Sequence, residues 1–468
     1  MAQRAARIRA RALDERYPYS EKTHLIHGRF QSARWEYKHH VVPPQSSSVT
    51  FRLDTSQRGA QGFADFGRAH ADGHQPIYVY DRLDEPTRGM LEDNLAYAEG
   101  GEVAVTYASG MGAISAAVAC LVRSGQRLVC HRLLYGCTYS LFHKWLPRFG
   151  IEVTALDFDD LDGLGQALTS DVRVVYFETP VNPDLHLLDV QAICRVVAEE
   201  NGKRTPEERV IVVVDNTFAT PYCQRPLELG ADVVVASLTK NIGGFGTDLG
   251  GVVVGPAWLE GELLSFRKDF GGVLSPKSAW PVLVYGLPTL PVRVRQQQQT
   301  ALRVAEFLEA DPRVERVCYP GLPSFPQHDL ARRQMVDYEG QFAPGTLLYF
   351  VLTDRPGQGH AAEQFIDYLA ENAYSITMAV SLGQVKTLIE HPYSMTHSSL
   401  TATESDRHLV EAGGIRLSVG LEKGQDLIHD LWDGLDHVFG EVPPRPSSAL
   451  DELTDTFEVR ASVPQAPA

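Results

Sequence analysis

A lysine at the end of an apolar run is the residue of this sequence best suited to chemistry. Lys240 follows Val233-Val234-Val235, within Ala236-Ser237-Leu238-Thr239-Lys240, and a glycine pair comes after it at Gly243-Gly244. Burial at a strand end disfavours an ammonium group, so an amine kept there usually has a task. Neighbouring hydroxyls and a glycine loop favour a Schiff base with a carbonyl cofactor that carries a phosphate. The simpler alternative is a lysine that reaches solvent.

Two further segments could hold such a cofactor. Ser109-Gly110-Met111-Gly112-Ala113 opens the helical run Ala113–Leu121, and a helix start made of small residues leaves N–H groups open to an anion. With Ser237 and Thr239 it would form a cup of neutral donors for one phosphate. Asp215 follows Val210–Val214 and could pair with the N–H of a pyridinium ring. The alternatives are an ordinary helix cap and a turn-forming aspartate.

Tyr135 and Arg416 supply the remaining chemistry. Tyr135, in Leu133-Leu134-Tyr135-Gly136-Cys137, could stack on the cofactor and transfer a proton through its phenol, or could simply be a core tyrosine. Arg416 lies within an apolar strand, where an arginine needs an anionic partner. Its planar fork matches an α-carboxylate, and a structural salt bridge is the alternative.

The elements that must position these residues alternate between short apolar runs and helical stretches. Arg173–Phe177, Val210–Val214, Asp232–Ala236 and Val252–Val254 are rich in β-branched residues, which predicts strands buried on both faces of a mostly parallel sheet. Ligands bind at the carboxyl ends of such strands, where the polar groups lie. The fold class predicted is therefore α/β.

The chain is predicted to contain four parts. Residues 1–78 lack a core pattern and are expected to form an arm that makes oligomer contacts. Residues 79–294 form a large cofactor-binding domain, and residues 295–440 form a smaller α+β domain. A helix from Arg293 to Ala310 is expected across this boundary, followed in the smaller domain by a strand at Gly345–Thr353 and a helix near Gln425–Phe439. Residues 441–468, rich in proline and serine, are expected to be a disordered tail.

Composition limits the function classes. The chain has 468 residues, 44% hydrophobic, with 43 basic and 59 acidic side chains and a formal charge of −16. This charge argues against nucleic acid or an acidic membrane as a partner, and no apolar run approaches the roughly 20 residues that span a bilayer. Six cysteines without CxxC spacing indicate free thiols and no metal site. We expect a cytoplasmic enzyme without a targeting peptide.

Together these segments resemble the Cys/Met-metabolism family of pyridoxal-phosphate (PLP) enzymes, also called the transsulfuration or γ-family, over residues 75–440. The resemblance implies fold type I, the PLP-dependent transferase-like fold, with an amino-acid substrate. It implies that Lys240 and Tyr135 are catalytic and also contact the cofactor. It implies that the cofactor is bound in addition by Tyr80, Arg82, Ser109, Gly110, Met111, Asn182, Asp215, Thr217, Ser237 and Thr239. It implies that Ser381 and Arg416 bind the substrate carboxylate.

Three details resemble the methionine γ-lyase branch: Cys137, the pair Lys268-Asp269, and the surroundings of Asp189. Cys137, Lys268 and Asp269 are expected to recognise the sulfur side of the substrate. The implied reaction is γ-elimination, giving 2-oxobutanoate, ammonia and methanethiol from methionine. Tyr135 would protonate the leaving thiol, its pKa lowered by cations such as Arg82.

Other features resemble the sulfhydrylases, so replacement at the γ-carbon is the main alternative. Gly243-Gly244-Phe245-Gly246-Thr247 is similar to a loop of O-acetylhomoserine sulfhydrylases, and cystathionine γ-synthase or lyase activity is also compatible. A non-catalytic PLP-binding module and an aminotransferase are less favoured. Glu85 stands where the family has asparagine, which places a carboxylate near the expected phosphate region. Arg82 is expected to act across a subunit boundary, which implies a homodimer at least and a homotetramer by family habit.

Overall fold

The computed structural model describes residues 20–27, 40–66, 76–353, 361–396 and 411–440. The strands are β1 Val103–Tyr107, β2 Arg127–His131, β3 Glu152–Leu156, β4 Val172–Glu178, β5 Ile211–Asp215, β6 Val233–Ser237, β7 Gly251–Gly255, β8 Val314–Cys318, β9 Leu347–Leu352, β10 Ile376–Met378, β11 Thr387–Glu390 and β12 Gly414–Ser418. The helices are α1 Glu21–His27, α2 Ser56–Asp65, α3 Pro86–Glu99, α4 Gly110–Leu121, α5 Gly136–Ser140, α6 Leu161–Ala167, α7 Val190–Asn201, α8 Thr220–Cys223, α9 Glu260–Phe270, α10 Pro276–Pro281, α11 Leu287–Ala310, α12 His328–Gln334, α13 Ala361–Asn372 and α14 Gly424–Phe439.

The larger sheet has seven strands in the order β1-β7-β6-β5-β4-β2-β3. Neighbours from β3 to β6 run parallel, whereas β7 is antiparallel to both β6 and β1. Its valine-rich strands are covered on both faces: Val213 and Val253 share a core with α4 and α9, and Val212 and Val214 share another with α7. The predicted mostly parallel sheet is therefore confirmed, because apolar side chains that alternate along each strand meet helices on either side.

The parallel strands bring their carboxyl ends to one edge of this sheet. The register places Glu178 of β4 beside Asp215 of β5, and Asp215 beside Val235 of β6. Ser237 is the last residue of β6, and Lys240 follows three residues later. Polar groups that lie far apart in the sequence therefore meet at the edge where ligands bind in sheets of this type.

The smaller sheet has five strands in the order β10-β11-β12-β9-β8. Helices α11, α13 and α14 share its hydrophobic core through residues such as Val304, Phe365 and Leu431, which confirms the predicted smaller α+β unit. Helix α11 begins earlier than the predicted Arg293, because a proline is well tolerated in the first turn of a helix. The proposed domain boundary at residues 294 and 295 falls inside this continuous helix, so the boundary stays a prediction.

Parts of the predicted N-terminal arm are described, and they lie against the large unit. The indole N–H of Trp280 donates to the Pro43 carbonyl at 2.8 Å, and the Ser46 N–H donates to the Thr87 hydroxyl at 2.8 Å. The predicted tail, residues 441–468, lies outside the described residues. Within the described ranges, no helix combines the length and the apolar character needed to cross a bilayer.

Candidate active site

Lys240 lies in the turn after β6, and its amine reaches the smaller domain. Nζ donates a hydrogen bond to the Ser381 hydroxyl at 2.7 Å. Burial, together with the positive charge of Arg416, lowers the pKa of Lys240 from 10.5 to about 8, whereas Glu390 opposes the shift. A substantial share of the amine is therefore neutral near physiological pH, which is the form that attacks a carbonyl or accepts a proton.

The start of α4 is built as an anion cradle. Ser109 caps the helix, and its hydroxyl accepts the Gly112 N–H at 3.1 Å. A Cβ added at Gly110 would lie 3.0 Å from the Cβ of Ser237, so a larger residue would push the helix start away from the end of β6. The N–H groups of Gly110 and Met111 have no acceptor within the helix, because they belong to its first turn. Donors from both elements consequently face one small space.

Hydroxyls from the neighbouring strands hold this cradle together. The Thr217 hydroxyl accepts the Ser237 N–H at 2.9 Å. The Thr239 hydroxyl both accepts the Gly250 N–H at 3.1 Å and donates to the Gly250 carbonyl at 3.3 Å. Thr239 therefore ties the lysine turn to the strand that follows, while Ser237 and Thr217 link β6 to β5.

Two carboxyl groups, one buried and one partly buried, lie side by side at the ends of β4 and β5. Glu178 accepts the Tyr135 N–H at 2.9 Å, and Asp215 accepts the Thr217 N–H at 2.9 Å and the Tyr176 hydroxyl at 3.3 Å. Burial raises the pKa of both groups, and for Glu178 the Asp215 charge raises it further. No cationic side chain of the described residues forms an ion pair with either one. Such a pair is suited to a cation that the chain itself does not supply.

Tyr135 lies at the start of α5, half-exposed, with Cys137 beside it. Burial raises the pKa of Tyr135, and the hydrogen bond and charge of Cys137 and the carboxylates of Glu178 and Glu390 act in the same direction. Within one chain, burial and acidic neighbours therefore outweigh any cation at Tyr135, and the expected lowering of this pKa by Arg82 of a second subunit stays a prediction. All six cysteines are free thiols, as predicted, and Cys137 is exposed.

Arg416 is held as a clamp between the two domains. It is 3% exposed; Nη1 donates to the Asn182 side-chain oxygen at 2.8 Å, and Nη2 donates to the Ser381 carbonyl at 3.1 Å. Asn182, expected to contact the cofactor, thus uses its oxygen for Arg416. Its amide nitrogen is a donor only and is still suited to a cofactor oxygen.

Ser381 is held by its surroundings in an unusual backbone conformation. Ser381 has a φ of 98°, a region that costs a non-glycine residue free energy and persists only where the surroundings enforce it. Two residues on, a Cβ at Gly383 would lie 2.4 Å from the Asn241 nitrogen, so this loop packs directly on the lysine turn. Ser381 is therefore aimed at both Lys240 and Arg416.

Four of the predicted site residues lie together but apart from this group. Arg82 donates to the Lys268 carbonyl, and its guanidinium lies 5.6 Å from the centre of the Tyr80 ring. The Lys268 amine lies 3.5 Å from the Asp269 carboxylate. Among the contacts described for these four side chains, none reaches Lys240 or Tyr135. Within one chain they form a second cluster at the end of α9.

Glu85 does not extend toward an anion site. It is fully buried and caps α3, accepting the N–H groups of Thr87, at 2.9 Å, and of Arg88. Burial raises its pKa to about 7. The carboxylate that the sequence placed near the phosphate region therefore performs the capping that an asparagine side chain could also perform.

One functional residue escaped the sequence reasoning. Glu390, the last residue of β11, forms an ion pair with Arg416 at 2.9 Å, and both are buried. A charged residue closing the apolar run Thr387-Leu388-Ile389 was the available signal. Its partner could not be identified because the pairing depends on the register between β11 and β12.

PLP, the cofactor predicted from the sequence, fits the groups of this site. The α4 cradle, with the crowded glycine at Gly110, suits its phosphate. The partly buried carboxyl of Asp215, without a cationic partner among the described residues, suits its ring nitrogen in the protonated form, and the low-pKa amine of Lys240 suits its aldehyde. Each of the three functional ends of the cofactor therefore has a complementary group in this chain.

Comparisons with known proteins agree with this arrangement. A family model described as Cys/Met metabolism PLP-dependent enzyme matches residues 22–436. The chain is 40% identical over 400 residues to an L-methionine gamma-lyase of Porphyromonas gingivalis, covering 85% of this chain and 93% of that protein. It is 39% identical over 390 residues to an O-succinylhomoserine sulfhydrylase of Pseudomonas aeruginosa, covering 83% and 89%. The solved cystathionine gamma-lyase of Lactobacillus plantarum, complexed with L-serine, superposes with a TM-score of 0.77 at 30% identity, covering 90% of this chain and 99% of that one.

Proposed function

Because the chain belongs to the Cys/Met metabolism family of PLP-dependent enzymes, we propose that it catalyses γ-elimination on a sulfur-containing L-amino acid. The proposed substrate is methionine, which would yield 2-oxobutanoate, ammonia and methanethiol. The observation that carries the proposal is the connection between base and clamp. Ser381 binds the Lys240 amine through its hydroxyl and Arg416 through its carbonyl, so an amino acid held by Arg416 lies beside Lys240.

The proposed roles follow from this geometry. When bound, PLP supplies an aldehyde for amine exchange and a ring that withdraws electrons from the substrate. Arg416 binds the α-carboxylate and orients the Cα–H bond toward Lys240. Lys240 removes the α-proton in its neutral form, which a pKa lowered to about 8 makes more abundant. Asp215 would hold the ring nitrogen in its protonated form. A base of the site would then take a β-proton, the γ-substituent would leave as the thiol, and water would release the product as 2-oxobutanoate and ammonia.

Tyr135 is the proposed acid for the leaving sulfur. Its raised pKa keeps the phenol protonated, so it can donate a proton to the departing thiolate. Cys137 lies beside it and would contact the sulfur side of the substrate. In an assembled protein, a nearby Arg82 from a second copy would lower the pKa of this phenol and ease the transfer.

The direct test is turnover of methionine as the sole substrate. We expect 2-oxobutanoate and methanethiol in equal amounts from the PLP-loaded protein, and none from the Lys240→Ala variant. The same preparation should be offered cystathionine, homocysteine and O-acylhomoserines, with keto-acid release measured for each. Absence of keto acid from methionine, combined with rapid turnover of an acylhomoserine plus sulfide, would exclude the lyase assignment.

The second candidate is γ-replacement by a thiol or sulfide. It is supported by the similarity to an O-succinylhomoserine sulfhydrylase and by the loop Gly243–Thr247. That loop contacts the segment that follows Ser381, because the Val385 N–H donates to the Gly244 carbonyl at 2.9 Å. The two reactions differ in whether water or a sulfur nucleophile completes the reaction. The ratio of keto acid to replacement product at increasing sulfide concentration separates them.

We also propose that the active site is shared between two copies of the chain. The proposal is supported by the position of a second cluster, which contains Tyr80, Arg82, Lys268 and Asp269. None of the contacts described for these four side chains reaches Lys240 or Tyr135 of the same chain. Arg82→Ala and Lys240→Ala variants should each be inactive alone. When the two variants are unfolded and refolded together in equal amounts, random pairing makes about half of the dimers mixed. Each mixed dimer has one intact site of its two, so about a quarter of the wild-type sites should be regained. No recovery, with dimers formed, would place Arg82 in the site of its own chain.

A further inference from the structure

The buried pairing of Glu390 with Arg416 has a specific geometry. The two residues are direct neighbours across β11 and β12, and Glu390 Oε1 lies 2.9 Å from Arg416 Nη2. The Thr396 hydroxyl donates to the same oxygen at 2.8 Å. The other oxygen, Oε2, is buried and accepts no hydrogen bond from the described residues. A buried carboxylate with one oxygen left unbound is costly, so this placement calls for a reason beyond folding.

The hydrogen-bond capacity of Arg416 supplies that reason. Each Nη carries two hydrogens. Nη1 donates one to Asn182 and Nη2 donates one to the Ser381 carbonyl, while Glu390 Oε1 lies 2.9 Å from Nη2 as an ion pair. A carboxylate that docks on both Nη atoms needs one hydrogen from each. A substrate carboxylate must therefore approach Nη2 where the Ser381 carbonyl and the Glu390 carboxylate already lie, and the like charge of Glu390 repels it there.

We propose that Glu390 is the resting counter-ion of Arg416, displaced from the guanidinium by the α-carboxylate of the amino-acid substrate. Glu390 then sets the affinity of the site for carboxylates and keeps the arginine fork aligned when the site is empty. It is a positioning residue, since it acts through Arg416. The inference depends on the proposed function in one respect, namely that Arg416 binds the substrate carboxylate.

The same charge acts on the reacting groups. Glu390 opposes the lowering of the Lys240 pKa by burial and by Arg416, and it contributes to the raised pKa of Tyr135. After displacement, Glu390 keeps its hydrogen bond from Thr396. Substrate binding therefore exchanges one carboxylate for another on Arg416, so that the buried arginine is never left without an anion.

The test compares two ligands that differ only at the carboxylate. L-Alanine and L-alaninamide both carry the α-amine and neither has a leaving group at a γ-carbon. Their dissociation constants are measured on the PLP-loaded protein from the change in visible absorbance. In the Glu390→Gln variant, L-alanine should bind on the order of tenfold more tightly, the size of one charge-assisted hydrogen bond, while L-alaninamide stays within about twofold.

Two matched variants separate charge from shape. Thr396→Val removes a neutral hydrogen bond to the same oxygen and should leave the ratio of the two dissociation constants within about twofold of wild type. Glu390→Asp keeps the charge but shortens its reach to Nη2, and it should also tighten L-alanine binding. It serves as the test if the glutamine variant fails to fold. Unchanged or weaker L-alanine binding in a folded, PLP-loaded Glu390 variant would overturn the proposal.

A second readout does not depend on ligand binding. The pH titration of the visible absorbance reports protonation of the Lys240 nitrogen in the loaded protein. Its midpoint should move to lower pH in Glu390→Gln, because a negative charge that favours the protonated form is lost, and should stay in place in Thr396→Val. A glutamate with a purely structural role would leave both midpoints alike. Failure to turn over methionine would refute the proposed function while leaving these binding ratios intact.

Discussion

The acidic pair at the ends of β4 and β5 predicts opposite effects of one substitution, Asp215→Asn, with and without cofactor. Glu178 and Asp215 are neighbours in register, and no cation of the described residues pairs with either. Without PLP, the two carboxylates repel each other in a desolvated site. With PLP, the protonated ring nitrogen should give Asp215 the cationic partner that it lacks.

The size of the effect follows from the spacing of the strands. Carboxylates on neighbouring strands lie about 5 Å apart, and at an effective dielectric constant of about 20 two such charges repel by about 3 kcal/mol. Removing one charge should therefore raise the free energy of unfolding of the PLP-free protein by about 1–3 kcal/mol at pH 8. The pKa of Asp215 is raised in the folded state. Wild type consequently loses stability as pH rises from the unfolded to the folded pKa, and the advantage of the variant grows over that window.

The PLP-loaded protein should respond in the opposite direction. Loss of the charged partner removes a charge-assisted hydrogen bond of about 1.5–3 kcal/mol, so PLP should stabilise the variant less than wild type. Turnover should fall by about 100-fold or more, because the ring nitrogen is no longer held protonated as the substrate charge develops.

Thermal unfolding at pH 5.5 and pH 8, with and without PLP, tests both halves of this prediction. Tyr176→Phe is the control, because it removes the phenol that donates to Asp215 and leaves both charges in place. It should not stabilise the PLP-free protein. A lower unfolding midpoint of PLP-free Asp215→Asn at pH 8, or an equal shift of the PLP-free and PLP-loaded forms, would contradict the prediction.

Three further outcomes are expected. The rate at which PLP-free protein regains visible absorbance on adding PLP should rise with pH around a midpoint near 8, since burial lowers the pKa of Lys240 to about 8, and a midpoint near 10 would contradict this. The folded-state pKa of Glu85 is raised to about 7, so wild type should lose up to about 3 kcal/mol of stability as pH rises from 4.5 to 7. The Glu85→Gln variant cannot ionise at this position and should not show that loss. Thermal midpoints of both proteins at pH 5 and pH 8 measure the difference. Arg267→Met leaves the buried Glu92 without its cation, so it should lower the free energy of unfolding in urea by about 3–5 kcal/mol. The double variant Arg267→Met, Glu92→Leu should recover most of this loss.

The large sheet could be predicted because its signals are local. Runs of valine between turn residues are buried on both faces, which a parallel sheet covered by helices requires. Lys240, Asp215 and Ser109 each stand at the end or start of such an element, and their chemistry is visible from that position alone. The cofactor and the family were therefore accessible from short segments in the right order.

Properties set by distant neighbours were not accessible in this way. Glu85 stands in a motif that suggests an anion site, and only its burial against α3 reveals a helix cap. The pKa of Tyr135 was expected to be lowered, and within one chain burial and acidic neighbours raise it. A sequence gives the types of the groups, whereas the pKa depends on dehydration and on which charges lie within a few ångströms.

The sequence by itself determined the fold class, the cofactor and the residue types of the site, because these follow from patterns within segments of a few residues. The tertiary structure alone decided which of these groups touch. Lys240 and Ser381 are 141 residues apart and hydrogen-bonded, and Glu390 meets Arg416 only through the register of two strands. Such contacts depend on how elements pack, and packing is a property of the whole chain.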